Sequence, residues 1–202
     1  MPPPLSSPSP LASDDRRRLL LLARTALSET IVQNRVPPSP AHAGRLAEPG
    51  GAFVTLHSRG KLRGCVGISG RDLPLGEAVI QAAAGAGRSD PRFAAVQPAE
   101  LAQMEIEISV LSEPERIFAD AVEVGRHGLL VIRGRSRGLL LPQVASQHNW
   151  TPLRFVAETC RKAGLGPDAW RELDTTLWAF TAEVFSEAEP PPFTKEAAQE
   201  RS

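Results

Sequence analysis

With only two cysteines, Cys65 and Cys160, in 202 residues, the sequence lacks the disulfide framework of a small secreted fold. It also lacks an excess of charge, since 23 basic and 23 acidic side chains balance. A nucleic-acid binder draws much of its affinity from neutralised phosphates and usually carries a basic excess. Aromatic residues, at 5%, are sparse and are not interleaved with basic residues in the manner of a stacking platform. No nucleic-acid partner is expected. No stretch approaches the roughly 20 apolar residues of a membrane span, so no membrane partner is expected either. Arg16-Arg17-Arg18 before Leu19-Leu20-Leu21-Leu22 mimics a secretory signal, but the apolar run stops at Arg24, short of the roughly 7–15 residues such a segment needs. The expected compartment is the cytoplasm.

Cofactor and metal motifs are missing too. There is no P-loop, no dinucleotide fingerprint and no Gly-x-Ser-x-Gly elbow. His42, His57, His127 and His148 show no ligand spacing with one another or with either cysteine, so no metal site and no particular cofactor is expected. Gly125-Arg126-His127-Gly128 reads as a turn.

What is present is enough for a core, with 42% of residues hydrophobic. Residues 1–12 are rich in proline and serine and read as a disordered tail, and residues from 187 to 202 as a flexible one. Between them, 13–186 reads as one α+β domain. Ser13 is the expected N-cap of a helix to about Asn34, with Leu20, Ala23, Leu27 and Ile31 on its apolar stripe. Phe53–Ser58 and Lys61–Val66 form an expected hairpin across Arg59-Gly60. Leu75, Val79, Ala82 and Ala86 mark a second helix. Met104, Ile106, Ile108 and Val110 alternate with Glu105, Glu107 and Ser109, the pattern of a half-buried antiparallel strand. Another hairpin is expected across 134–137, whose arginines 133, 135 and 137 read as solvated. A helix opens at Thr151-Pro152 and stops at Gly164. A single final strand carries Trp178, Phe180, Ala182 and Val184. Recurring hairpins favour an antiparallel or mixed sheet with packed helices over a doubly wound parallel one.

The unusual segment is Leu62-Arg63-Gly64-Cys65-Val66-Gly67. Strand alternation places Leu62, Gly64 and Val66 on one face and Lys61, Arg63 and Cys65 on the other. A guanidinium beside a thiol favours the thiolate, which is how reactive cysteines are made. Cys65 is therefore the candidate nucleophile or redox group and Arg63 its candidate activator. Gly64 and Gly67 are candidates to mark a bulge or a close approach by backbone or ligand, or to bind an anion through free N–H groups. The same string also reads as tight packing around a buried thiol. Cys160, on the stripe Leu153, Val156, Cys160, Ala163, reads as a core residue. Glu105 and Glu107 form a carboxylate pair on one strand face, suited to acid–base work, to a cation, or to pairing with Arg63 if the strands meet. In Asp90-Pro91-Arg92-Phe93, a capped turn, Arg92 is suited to hold a carboxylate or phosphate.

Those segments, with Gly138-Leu139-Leu140-Leu141-Pro142-Gln143-Val144, Cys160-Arg161-Lys162-Ala163-Gly164-Leu165 and Trp170, resemble the AMMECR-one domain family. Within it they are most similar to the bacterial branch called AmmeMemoRadiSam system protein A. The resemblance implies a compact α+β domain of two lobes with a cleft between them. It also implies a component of a system with a Memo-like protein, related to extradiol dioxygenases, and a radical SAM protein. Arg63, Gly64, Cys65 and Gly67 map onto its signature; Asp90, Arg92, Glu105, Glu107 and Gln143 map onto its other marked polar positions, as candidate ligand contacts. Residues 85–89 are smaller here than the aromatic-containing version of that segment. No reaction comes with the resemblance. An enzyme using Cys65 on a small molecule and a non-catalytic adaptor or ligand-presenting subunit both remain open.

Overall fold

The computed structural model describes residues 10–188, so the outer parts of both expected tails lie outside it. In chain order the elements are α1 (Ser13–Gln33), β1 (Gly51–Ser58), β2 (Lys61–Ile68), α2 (Leu75–Arg88), β3 (Met104–Leu111), β4 (Glu115–Arg116), β5 (Gly128–Arg133), β6 (Ser136–Leu140), α3 (Pro142–Gln147), α4 (Pro152–Lys162), β7 (Thr176–Phe180) and β8 (Ala182–Ser186). One four-stranded sheet runs β2-β1-β3-β8 and the other β4-β7-β5-β6. The chain thus has the α+β fold. Its described residues divide into two compact units, 10–109 with 184–188, and 110–183. No helix among them is long and apolar enough to cross a membrane.

In the first unit α1 starts at Ser13 itself, one residue earlier than a Ser13 cap implies. Ala12 is the N-cap and offers no side-chain bond, while Asp14 and Asp15 occupy the first turn, where the helix dipole favours anions. Its buried face is Leu19, Ala23, Ala26, Leu27 and Thr30, so Leu19 rather than Leu20 points inward. Leu11, read from sequence as tail, is buried. α2 is built of small residues, and Gly87 lies so close to α1 that a Cβ there would meet Leu27 at 2.5 Å. Val54 and Leu56 of β1 and Ile106 and Ile108 of β3 are fully buried, each such side chain contributing roughly 1.5–3 kcal/mol. The β1–β2 turn has positive φ at both Arg59 and Gly60, which suits the twist of a two-residue hairpin.

The second unit packs α4 against β5 and β6. Its core gathers Leu129, Val131, Phe155, Val156, Cys160, Leu177 and Ala179. Thr151 caps α4 by accepting a bond from the Arg154 N–H at 3.3 Å, and Gly164 ends that stretch at φ +75°. The expected single last strand is two, β7 and β8, in different sheets. Between them the Thr181 N–H donates to Ser112 Oγ at 2.9 Å, and the Thr181 carbonyl accepts from the Ser112 N–H at 2.9 Å. That pair of hydrogen bonds holds the break. Leu177, Ala179, Phe180 and Phe185 are consequently buried, and Val184 is exposed. The short helix α3, opened by Pro142 after the extended Leu141, was not expected from sequence.

Candidate functional site

The β1–β2 register places Cys65 opposite Thr55, and it slips once. Leu56 faces Gly64 while His57 faces Leu62, so Arg63 has no opposite residue. An extra residue of this kind breaks the alternation of faces. The expected grouping of Leu62 with Gly64 and Val66 therefore fails, and Leu62 is exposed. Beyond the slip, Gly64 lies against α2. A Cβ there would come within 2.2 Å of the Ala86 carbonyl oxygen, and Gly85 makes room for Val66 in the same way. Gly64 therefore serves helix–strand packing. Gly67 is covered by the Phe53 ring, which a Cβ would meet at 2.3 Å. Neither glycine opens a gap.

Arg63 is held away from the role of thiol activator. Its Nε and Nη2 donate to both oxygens of Glu100, at 2.9 and 3.0 Å, and its Nη1 donates to the Ala94 carbonyl at 2.8 Å. Arg63 holds the Glu100 carboxyl below its ordinary pKa, helped by the Gln97 N–H. Glu100 also closes the capping box that starts the Pro98–Gln103 turn. Arg63 thus staples β2 to the 94–100 segment.

The guanidinium at Cys65 is that of Arg92. Cys65 sits on a strand at the sheet's edge, and its backbone is occupied from outside by one side-chain pair. Its N–H donates to Asp90 Oδ2 at 2.8 Å, and its carbonyl accepts from Arg92 Nη2 at 3.4 Å. Asp90, buried, also takes Arg92 Nε at 3.0 Å and Nη2 at 2.7 Å. The Arg92 bond is the main reason the Asp90 carboxyl titrates far below the ordinary range, against the opposing cost of burial. Arg92 is raised in turn, first by Asp90, then through charge and hydrogen bonding to the Cys65 side chain. From β1 the Thr55 hydroxyl donates to Cys65 Sγ at 3.4 Å. The hydroxyl thus meets the thiol, the guanidinium meets the backbone carbonyl of the same residue, and Arg92 remains 55% exposed there.

Glu105 and Glu107 are half-buried on β3 and alternate with buried Met104, Ile106 and Ile108. Because β3 neighbours β1 and β8 and not β2, the condition for their pairing with Arg63 is not met, and Arg63 is bonded to Glu100 instead. Gln143 lies in the second unit, on α3, with its Oε1 buried and unpartnered among the described residues. His127, in the turn before β5, is likewise buried. Its Nδ1 accepts from the Glu123 N–H at 3.1 Å while its Nε2 has no partner. Thr55 was missed from sequence because an unslipped hairpin sets Val54, not Thr55, opposite Cys65. Glu100 was readable as a capping residue three positions after Gln97.

The sequence model of the AMMECR1 family matches residues 20–185. The chain belongs to the AMMECR1 family. A Thermococcus kodakarensis protein is 43% identical over 185 residues, covering 85% of this chain and 90% of its own length. One from Methanothermobacter thermautotrophicus is 40% identical over 189 residues, covering 89% and 97%. The crystal structure of an uncharacterised protein from Pyrococcus horikoshii superposes with a TM-score of 0.79 at 41% identity, over 85% of this chain and 91% of that one.

Proposed function

We propose that this AMMECR1 chain is a subunit acting through a thiol site at Cys65, on or beside a small-molecule ligand, within a system that includes Memo-like and radical SAM partner proteins. The Thr55 hydroxyl on Cys65 Sγ, with the Arg92 guanidinium bonded to the carbonyl of the same residue, carries the thiol reading. A cation and a hydroxyl donor stabilise developing negative charge on sulfur, the condition for nucleophilic or redox use of a cysteine. Arg92 takes the activator's place that the sequence assigns to Arg63, and Asp90 is its positioning residue.

The direct test is iodoacetamide labelling of Cys65 in a Cys160→Ala background. Labelling at neutral pH faster than in the unfolded chain, and several-fold slower in Arg92→Gln, supports the reading. A Cys65 inert in the folded chain, or labelled equally with and without Arg92, removes it.

One observation favours the non-catalytic adaptor instead. Asp90 and Arg92 already satisfy each other and the Cys65 backbone, as a purely structural plug on an edge strand does. An adaptor keeps co-purifying with its partners, and keeps the assembled system active, in Cys65→Ser. Loss of turnover with partner binding intact decides for the thiol.

A further inference from the structure

The first unit carries a pocket of about 450 Å³ lined by the C-terminal parts of α1 and α2. That volume falls in the range of small-molecule sites. Ala84 and Gly85 leave the space open, and Thr30, Asn34, Gln81 and Arg88 set polar groups around it. Two of those groups lack the partners their kind usually has. Thr30 is 3% exposed, yet its hydroxyl has no hydrogen-bond partner among the described residues. A threonine inside a helix commonly bonds back to a carbonyl three or four residues earlier. Thr159 on α4 does so, donating to the Phe155 carbonyl at 2.8 Å. Thr30 does not, and a buried hydroxyl left unpaired costs free energy that a bound ligand can recover. Arg88 is exposed, donates to the Asn34 side-chain oxygen and has no carboxylate partner among the described residues. The acidic residues on the same stretches of helix are already engaged, Glu29 by Arg35 and Glu77 by Gln81. At the end of α2 the Gly85 and Gly87 carbonyls accept the Ser89 and Val96 N–H groups at 2.7 and 2.8 Å. Those bonds weaken the negative field that a helix C-terminus otherwise sets against an anion.

We infer that this pocket binds a small hydroxylated oxyanion, a carboxylate or phosphate carried on a polyol. The Arg88 guanidinium takes the anionic oxygens through its paired N–H groups. The Asn34 and Gln81 amides offer both donors and acceptors to the polyol. A ligand hydroxyl gives Thr30 the hydrogen bond that it lacks in the free chain.

The experiment is isothermal titration calorimetry of the full chain with glycerate and with glycerol phosphate, and with glycerol as the neutral control. At least one of the two acids binds saturably and glycerol does not; the acid bound more tightly identifies the anionic group. Arg88→Gln weakens binding at least about tenfold, the loss of a charge-assisted pair. Thr30→Val keeps the shape and removes the hydroxyl, and it weakens binding about fivefold. Without ligand, Thr30→Val melts at the same temperature or higher, because the hydroxyl bonds nothing in the free chain. No saturable binding by either acid, or glycerol bound as tightly as they are, overturns the assignment. So does binding that either substitution leaves intact. A Thr30→Val chain that melts lower without ligand also overturns it, because the hydroxyl then has a partner within the fold.

Discussion

Cys65 and Cys160 are the same residue in opposite settings. Cys160 lies on α4 with its side chain fully buried, and burial pushes its thiol pKa up, partly offset by the Trp170 N–H. Cys65 lies on an edge strand, half-buried, with a hydroxyl on its sulfur and a carboxylate–guanidinium pair on its backbone. Both depend on a neighbouring glycine. Gly64 lets α2 approach β2, and Gly138 lets α4 approach β6, where a Cβ would sit 2.5 Å from the Thr159 carbonyl oxygen. Similar helix-on-strand packing therefore accompanies an inert thiol in one unit and a polar-flanked one in the other. The difference comes from what approaches each cysteine on the side away from that packing.

The largest effect is expected where the two are alike. Gly64→Ala and Gly138→Ala each drive a methyl into helix backbone that cannot rotate away, and each is expected to cost about 3 kcal/mol. Urea denaturation reads both. A tolerated Gly64→Ala would mean that β2 is not pinned on α2 and that Cys65 owes its position to Asp90 alone.

Cys160→Ser comes next, because it buries a hydroxyl in an apolar core at about 1–3 kcal/mol. Cys65→Ser, with Thr55 at hand for the hydroxyl, is expected to lose less than about 1 kcal/mol. Equal losses in thermal melts would erase the distinction between a packed and a polar thiol.

Sequence captured the parts of this contrast that follow from periodicity. Val156, Cys160 and Gly164 announced a buried helix face and its stop, and the Met104–Ile108 alternation announced the strand. It failed at Leu62 and Arg63, where one extra residue in β2 reverses the faces and replaces Val54 by Thr55 as the neighbour of Cys65. The glycines at 64 and 67 allowed for a bulge but could not place it at Arg63. It failed again at Thr181, where bonds to Ser112, 69 residues away, end β7. The Arg63–Glu100 and Asp90–Cys65 bonds likewise link segments 37 and 25 residues apart, beyond any local rule. Asp90 and Arg92 were marked as polar candidates, but their role at the Cys65 backbone became visible only with the fold.

Acid separates the two units further. The depressed Asp90 pKa contributes stability that is present above about pH 4, the unfolded aspartate value, and is lost as pH falls toward the folded one. The His127 pKa is also lowered, mainly by burial. Its unfolded form takes up a proton below about pH 6.5 while the folded form resists, so stability begins to fall there on acidification. In both windows the unfolded chain binds more protons, which makes stability rise with pH. Denaturant midpoints from pH 7 to 3 are expected to fall in two steps. His127→Gln removes the upper step, and Asp90→Asn shrinks the lower, to which the Arg63-bound Glu100 also contributes. A single step below pH 4 would show that His127 charges freely in the folded chain.

The smallest change probes the point on which the comparison turns. Arg92→Lys keeps one positive charge but gives up the planar fork through which Nε and Nη2 grip Asp90. The pair is more than half exposed on the arginine side, so solvent screens it and stability is expected to drop by no more than about 1 kcal/mol. A lysine ammonium bonded to Asp90 is a single point charge, and it cannot also reach the Cys65 carbonyl as the fork does. Iodoacetamide labelling of Cys65 is therefore expected to slow almost as much as in Arg92→Gln, while Cys160 stays protected in all three chains. Full retention of the Cys65 rate in Arg92→Lys would reduce the arginine's part to charge alone. The Asp90 fork would then be a device for holding the strand edge, and Cys65 would differ from Cys160 only in its exposure.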